Sequence, residues 1–306
     1  MYENKFVSKD KFQKAKEMKI NLNGSDLRIK QGDSNQYCHT YETNSEKIPS
    51  TKLYNENEIF EYEEMKDVSL RGKGLLEITV EDVPETITIM SESGDVKIQG
   101  YLDSGVKINI QTKSGDIKVD KIGSPTINCQ TKSGDIKLIE CNSTDVINIS
   151  SKSGDLNFDN FIEGKNITLK SISGDIKTSK IKCDIAEIST NSGDIKISEL
   201  ESENSDFQNF SGDVRFKKVN SDELRVKTES GSIKVEEYNV EMGTFLTFSG
   251  SIKILTTDED YKIIAESITG EIKVFDKNYY KNAIFGESDR EIKLRTESGS
   301  IKIETK

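Results

Sequence analysis

The side chains of this chain that could hold a metal ion are aspartates at a nearly constant spacing. Each follows Gly in a recurring Ser-Gly-Asp tripeptide, and they are Asp95, Asp116, Asp135, Asp155, Asp175, Asp194 and Asp213. Stacked carboxylates would suggest a calcium ladder, since calcium takes about six to eight oxygen ligands. A Lys stands two residues after nearly every Asp, however, so adjacent Asp and Lys columns would compensate each other's charge. We therefore expect a surface ladder of paired charges, with no metal and no cofactor.

Other residues that often carry catalysis are sparse. His39 is the single histidine, and no convincing Ser-His-Asp or Cys-His set can be built around it. The cysteines lack the spacing of metal ligands; they are Cys38, Cys129, Cys141 and Cys183. A paired-carboxylate site like that of β-helix polysaccharide enzymes should appear as a local departure from the repeat, and the regular copies show none. We predict that the protein is not an enzyme.

The aspartates are positioned by a repeated turn, Ser-Gly-Asp-Ile-Lys or a variant of it, which occurs eleven times. Its glycines are Gly94, Gly115, Gly134, Gly154, Gly174, Gly193, Gly212, Gly231, Gly250, Gly270 and Gly299. All but the last gap are 19 to 21 residues long, and the last is 29. Self-similarity at such a period predicts a repeat architecture. Each Gly is expected to take a positive φ at little steric cost.

Apolar and polar side chains alternate on both sides of each glycine. After Gly193, for example, Ile195 and Ile197 flank Lys196. Five residues before each glycine stands an apolar residue, and three before it stands Ser, Thr or Asn. This period of two predicts two strands per repeat, each with one buried face. The small polar column would lie inside the bend and satisfy turn carbonyls.

The expected fold is all-β: a parallel β-solenoid of about 11 regular coils with a period of 19–21 residues. An antiparallel meander, with Ser-Gly-Asp as a hairpin turn, would also alternate. It does not by itself require the same residue type at the same place in every repeat. Parallel stacking does, because each column then lies above itself at a spacing of about 4.8 Å.

The chain divides into a short start and one elongated domain. Residues 1–19 hold six lysines and predict a basic arm, an N-terminal cap or a short helix from Ser8 to Lys19. Residues 20–306 predict a single solenoid domain, with irregular capping coils over 20–80 and the regular array over 81–306. Val68 and Leu70 belong to the stretch that leads into the array.

The long final gap predicts an inserted return loop around 277–286. It contains Tyr279, Tyr280 and Phe285 in a chain with only 7% aromatic residues. One interpretation is a binding loop, because function concentrates on loops held by a rigid scaffold. The other, which we favour, is a C-terminal lid that hides the open strand edge of the last coil.

Charge and hydropathy limit the partners and the location. The net charge of −11 argues against nucleic acid or another polyanion on the Lys column. We see neither the apolar core of a signal peptide nor an 18-residue apolar run, so we expect no transmembrane segment. Unpatterned cysteines fit a reducing compartment. The expected location is cytoplasmic or peripheral to the cell envelope.

The Ser-Gly-Asp-Ile-Lys turn at 94, 115, 134, 154, 174 and 193, with Ser or Thr three residues before Gly, resembles the bacterial "putative adhesin" family (domain of unknown function 4097). The likeness covers roughly 20–306, and later copies drift to Ser-Gly-Ser. It implies a β-solenoid without assigned catalytic residues and relatives linked to the cell envelope, some near envelope-stress sensing. Many of them carry a membrane anchor or a helical N-terminal module, for which we expect no counterpart here. The chain is also similar to the filament-forming bactofilins, whose coils are shorter and more apolar.

These observations favour a non-enzymatic scaffold that binds an unidentified protein or envelope partner. Its candidate contact residues are Tyr279, Tyr280 and Phe285. One alternative is a structural solenoid that associates end to end into filaments. Another is a β-helix that binds or acts on carbohydrate.

Overall fold

The computed structural model describes residues 2–46, 50–65, 72–102 and 105–306, with the side chains of 101 and 102 left out. All regular elements within these ranges are β-strands. The predicted all-β solenoid is confirmed. The chain forms two compact units, Met1–Ser153 and Gly154–Lys306, and each is described by itself. The expectation of a single domain over 20–306 stays a prediction.

The strands of the first unit are β1 (Asn4–Lys11), β2 (Glu17–Leu22), β3 (Asp26–Gln31), β4 (Gln36–Thr43), β5 (Thr51–Glu56), β6 (Ile59–Glu64), β7 (Gly72–Val80), β8 (Thr86–Ser93), β9 (Val96–Leu102), β10 (Lys107–Ser114), β11 (Ile117–Ser133) and β12 (Ile136–Ser153). Those of the second unit are β13 (Leu156–Ser173), β14 (Ile176–Ser192), β15 (Ile195–Ser211), β16 (Val214–Ser230), β17 (Ile233–Ser249), β18 (Ile252–Thr256), β19 (Lys262–Val274), β20 (Lys277–Phe285), β21 (Glu291–Ser298) and β22 (Ile301–Thr305).

Successive copies of the repeat pair in parallel and in the predicted register. In the second unit Ile176 pairs with Ile195, which pairs in turn with Val214. In the first unit Ile117 pairs with Ile136 in the same way. Equivalent residues therefore lie above one another, which excludes the antiparallel meander for the array.

The long strands each follow one complete coil, from the residue after one Ser-Gly-Asp turn to the Ser of the next. Strands β11 to β17 are all 17 or 18 residues long. Their apolar columns fill the interior. Ile195, Val214 and Ile233 are fully buried, and the Phe207 ring meets Phe216 edge-on with centroids 4.7 Å apart.

The number of coils is about eight, so the prediction of about 11 was too high. The prediction counted turn motifs, but a motif does not guarantee one regular circuit of backbone. Gly94 and Gly299 lie between shorter, separate strands, Gly250 is followed by the five-residue β18, and Gly270 lies within β19. Some of these strands pair with segments distant in sequence.

The start of the chain forms strands, and the predicted short helix was wrong. Strand β1 pairs antiparallel with β4, placing Phe6 opposite Tyr41. Phe12 and Ala15 are buried, so this start belongs to a cap and is not a solvated arm. Edge pairing overrides the weak helical pattern, because a short isolated helix is marginal in water.

The first coil of the chain lies one layer inside its stack. Ile20 in β2 pairs on one side with Tyr62 in β6 and on the other with Ile89 in β8. Strand β3 lies in the same way between β7 and β9. The predicted hairpin between β5 and β6 is present, whereas Val68 and Leu70 lie outside the described residues.

The last coil of the chain is also inserted. Strand β21 pairs with β17 on one side and with β19 on the other, so the coil of Gly299 lies between those of Gly250 and Gly270. The predicted inserted loop is strand β20, which runs antiparallel along β19. The lid is thus confirmed, but the coil it covers is that of Gly270, not the last one in sequence.

Candidate functional site

Each glycine of the repeated turn is required by the backbone of the coil beside it. Gly193 has a φ of +147°, and a Cβ there would collide with the carbonyl oxygen of Gly174. The predicted positive φ is confirmed at nine of the eleven turn glycines, and the exceptions are Gly250 and Gly270. Close approach of neighbouring backbones is the second reason why no larger residue fits.

The small polar column satisfies the turn carbonyls, as predicted. The Thr190 hydroxyl donates to the Gly174 carbonyl at 3.0 Å, and Thr247 donates to Gly231 at 3.0 Å. Asn209 takes the same role through its side-chain amide, which donates to Gly193 at 2.9 Å. These residues are buried, so the column is structural and offers nothing to a ligand.

The Asp column binds the backbone of the next coil. The Asp175 carboxylate accepts the N–H of Asp194 at 2.8 Å, and Asp194 accepts that of Asp213 at 2.9 Å. Lys196 lies 2.9 Å from Asp194, as the paired-charge interpretation requires. Partial burial raises the pKa of Asp194, but the Lys196 ammonium and the Asp213 N–H outweigh it and hold that pKa below its ordinary value.

The carboxylates of this ladder are therefore already occupied by backbone N–H groups and ammonium groups. In the described part of the chain, no three His, Cys, Asp or Glu side chains are arranged to hold a metal ion.

His39 lies in a buried network that the sequence did not reveal. Its Nε2 is 3.0 Å from the Ser25 hydroxyl, and its Nδ1 is 2.8 Å from the Tyr62 hydroxyl. Ser25 donates to the Glu64 carboxylate at 2.9 Å, so its proton points to Glu64 and His39 is not its base. All four side chains are buried, and burial lowers the pKa of His39.

The Glu64 carboxylate also accepts backbone N–H groups of the first coil. Those of Asn23, Gly24 and Ser25 lie 3.0 to 3.1 Å from its Oε2. The network therefore holds a turn in place and does not form a catalytic triad. No local sequence signal could have found it, because its members come from three segments far apart in sequence.

The buried cysteines are not nucleophiles. Burial raises the pKa of Cys141 to about 11 and that of Cys183 to about 12. Their thiols stay protonated near neutral pH and pack as small apolar groups, as expected for Cys129.

The predicted contact residues Tyr279, Tyr280 and Phe285 all lie on β20 but in different environments. Tyr280 is 85% exposed, and Ile284, further along the same strand, is 74% exposed. Phe285 is half-buried and packs against Phe275 with ring centroids 5.1 Å apart. Tyr279 is also half-buried. Only Tyr280 of the three presents its ring fully to solvent.

A second exposed apolar feature was missed by the sequence analysis. It consists of residues two positions before the turn glycine in alternate coils of the second unit, and we name it the apolar row. Its members are Ile172 (50% exposed), Phe210 (64%), Phe248 (56%) and Ile268 (50%). Polar residues occupy the same position in the intervening coils, namely Asn191, Glu229 and Glu297.

The same position in the first unit is charged. It holds Glu92, Lys113, Lys132 and Lys152, and Lys113 forms a salt bridge with Glu92 at 2.5 Å. The fold therefore does not require apolar side chains there. A count of residue types at this position would have revealed the row from the sequence.

The family of the chain is shown by its sequence. A family model described as Toastrack DUF4097 matches residues 15–161 and 140–304. The chain belongs to the Toastrack DUF4097 family. This confirms the resemblance drawn from the repeated turn. No curated protein matches this Toastrack chain.

Several solved structures are similar to this Toastrack chain at low identity. A "putative adhesin" from Bacteroides fragilis is 13% identical with a TM-score of 0.41, covering 99% of this chain and 97% of the other. A "putative cell adhesion protein" from Clostridium sporogenes is 14% identical, with a TM-score of 0.26 and 99% of each chain covered. A "putative lipid binding protein" from Parabacteroides distasonis is 12% identical, with a TM-score of 0.40 and 98% and 96% covered. Likeness at this level carries no argument about function.

Within the described residues, the Toastrack chain has no helix with the length and apolar character needed to cross a bilayer.

Proposed function

We propose that this chain is a non-enzymatic scaffold that binds a protein partner through the apolar row. The proposal rests on one observation. At one repeated position, at least half of each of four large apolar side chains is exposed, namely Ile172, Phe210, Phe248 and Ile268. Large apolar side chains grouped on a surface and bordered by polar ones are typical of interaction sites.

Aromatic side chains give the row its expected binding strength. Phe210 and Phe248 are the largest members, and aromatic residues are enriched where protein interfaces concentrate their binding energy. The row lies on paired β-strands, so its geometry is fixed before binding. A rigid surface loses little conformational entropy when a partner docks.

We further propose that the partner lies at the cell envelope, as the family resemblance described above implies. Tyr280 is retained as a second contact because its ring projects from β20 into solvent, whereas Phe285 packs inside the lid. Envelope-stress signalling is one role that such a scaffold would serve.

The test is a quantitative pull-down with two matched variants. Phe210→Ser with Phe248→Ser removes the two rings of the row, while Lys113→Ser with Lys132→Ser changes the equivalent position of the first unit. Envelope and cytosolic fractions of the source organism are passed over each immobilised protein, and bound proteins are quantified by mass spectrometry.

We expect wild type and the lysine variant to retain the same envelope protein, and the phenylalanine variant to retain at least about tenfold less of it. All four substituted residues are exposed, so the fold should persist, and thermal unfolding checks this. Equal retention by all three proteins would contradict the proposal.

A further inference from the structure

We propose that the partner of the apolar row is a second copy of this chain, docked antiparallel to the first. The inference rests on the proposed function, because it names a partner for the same surface. It follows from the order in which the coils of the second unit stack.

The row has the same order when read from either end. In stacking order, the position two before glycine reads Ile172, Asn191, Phe210, Glu229, Phe248, Glu297 and Ile268. Apolar and polar residues alternate symmetrically around Glu229. A twofold axis at Glu229, directed along the strands, would place Ile172 opposite Ile268 of the second copy and Phe210 opposite Phe248.

The spacing of the row suits another solenoid. Neighbouring coils lie about 4.8 Å apart, so alternate coils are about 9.6 Å apart. A second copy repeats this distance over all seven coils. In a helical partner, residues seven apart rise about 10.5 Å, so its contacts would fall progressively out of step.

Charges beside the row are complementary in the antiparallel arrangement. At the position four before glycine, Lys170 would face Glu266 of the second copy. At the position six before glycine, Glu187 would face Lys293. Lys170 already lies 3.7 Å from Glu187 within one copy, so the four charges would alternate around a square.

The central coil brings no net charge to the axis. Arg225 lies 2.7 Å from Glu223, and Lys227 lies 3.4 Å from Glu229. Each acid is therefore paired with a base on its own strand before a second copy approaches.

The face is large enough for a stable dimer. Seven coils about 4.8 Å apart and four outward positions about 6.7 Å apart give about 34 by 27 Å, roughly 900 Å² per copy. A standard protein interface buries about 800 Å² per partner. An isologous contact of this kind closes as a dimer and does not continue into a filament.

The first experiment is sedimentation against concentration. We expect wild type to dimerise and Phe210→Ser with Phe248→Ser to weaken the dimer by roughly 100-fold or more. Lys170→Glu should weaken it a few-fold, and adding Glu266→Lys should restore it, since the swapped pair again has opposite charges.

Crosslinking tests the orientation, in a Cys38→Ser background with a short bis-maleimide. Glu229→Cys, on the axis, should form covalent dimers alone. Ile172→Cys alone should not, whereas Ile172→Cys together with Ile268→Cys should. Efficient crosslinking of Ile172→Cys alone would overturn the antiparallel arrangement.

The sedimentation and pull-down results separate the two proposals. If wild type stays monomeric at high concentration while the phenylalanine variant still loses its envelope protein, the dimer is wrong and the scaffold proposal stands. If wild type is monomeric and the variant loses nothing, both are wrong.

Discussion

At the first coil of the first unit, the place of the turn glycine is taken by Ser25, whereas at the outermost coil of the second unit it is still a glycine, Gly270. The difference follows from the direction of a parallel stack. The Cβ direction at each turn points to the preceding coil, where a carbonyl oxygen leaves room only for hydrogen. Beneath Ser25 lies the layer formed by β6 and β7, and the Ser25 side chain bonds to His39 and to Glu64 of β6.

The lid of the second unit is built without such a network. Strand β20 runs antiparallel to both halves of β19, and Lys281, with a φ of +67°, turns the corner beside Gly270. Phe275 and Phe285 pack beneath it. The comparison teaches that the two caps are held in different ways: by a buried carboxylate that accepts turn N–H groups in the first unit, and by an antiparallel strand paired along β19 in the second.

The largest expected effect is a difference in the free energy of unfolding between a substitution in an interior turn and one in the first turn. Gly193→Ala should lower the free energy of unfolding of the second unit by about 4 kcal/mol, because the new Cβ meets the Gly174 carbonyl at a strained φ. Gly24→Ala, in the first turn, should change it by less than about 1 kcal/mol, since no atom lies within 4 Å of the added Cβ. Denaturant unfolding followed by hydrogen exchange measures both. Similar losses would refute the close-approach explanation.

The second largest effect is expected in the buried network of Ser25, His39, Tyr62 and Glu64, which we call the polar cap of the first unit. Glu64→Ala leaves three backbone N–H groups and the Ser25 hydroxyl without their acceptor, which should cost the first unit about 3 kcal/mol. Glu63→Ala is the control, because the side-chain partner of Glu63 among the described residues is Lys52, in an exposed pair at 3.6 Å. The same measurements apply, and a Glu64 variant as stable as the control would show that the network is dispensable.

Mild acid should weaken the polar cap and spare the lid. Burial lowers the pKa of His39 in the folded state, partly opposed by Glu64, so below pH about 6.5 the unfolded chain takes up a proton first. Stability of the first unit should fall with decreasing pH, by at most about 1.4 kcal/mol per pH unit for one proton.

The second unit provides the comparison, because the only histidine of the chain is His39. Hydrogen exchange at pH 7.5 and 5.5, corrected for the intrinsic rate, should show the loss in the first unit alone. His39→Gln should abolish the difference. A loss confined to the second unit would assign the effect to other groups.

The smallest effect concerns backbone conformation in the two caps. Lys281→Gly should stabilise the lid by about 1 kcal/mol, because Lys at a φ of +67° is strained. Asn57→Gly, in the β5–β6 hairpin at a φ of +53°, should gain less, since Asn tolerates this region. Thermal unfolding compares the two variants, and a greater gain from Asn57→Gly would reverse this ranking.

Much of the array could be predicted from the sequence, because every coil repeats the same steric demand. Gly193 must be glycine, Thr190 must bond a turn carbonyl, and Ile195 must be buried, whichever coil is considered. The terminal segments do not contain this repeat, so their structure could not be predicted in the same way. The start of the chain was expected to form a helix in part and forms β1, because its partner β4 lies some 30 residues away in sequence. Tyr280 was named as a candidate contact with Tyr279 and Phe285, but the pairing of its strand with β19 could not be predicted.

By itself, the sequence determined the column of glycines and, through it, a parallel stack with fixed register. Only the tertiary structure decided the order of the final coils. In sequence, the position two before glycine ends Phe248, Ile268, Glu297, and its alternation breaks. The pairing of β21 between β17 and β19 moves Glu297 ahead of Ile268 and completes the symmetric row. The physical reason is that an unpaired strand edge pairs with whichever compatible strand is available. Strand β20 covers one edge of β19, and β21 pairs with the other edge, between β19 and β17.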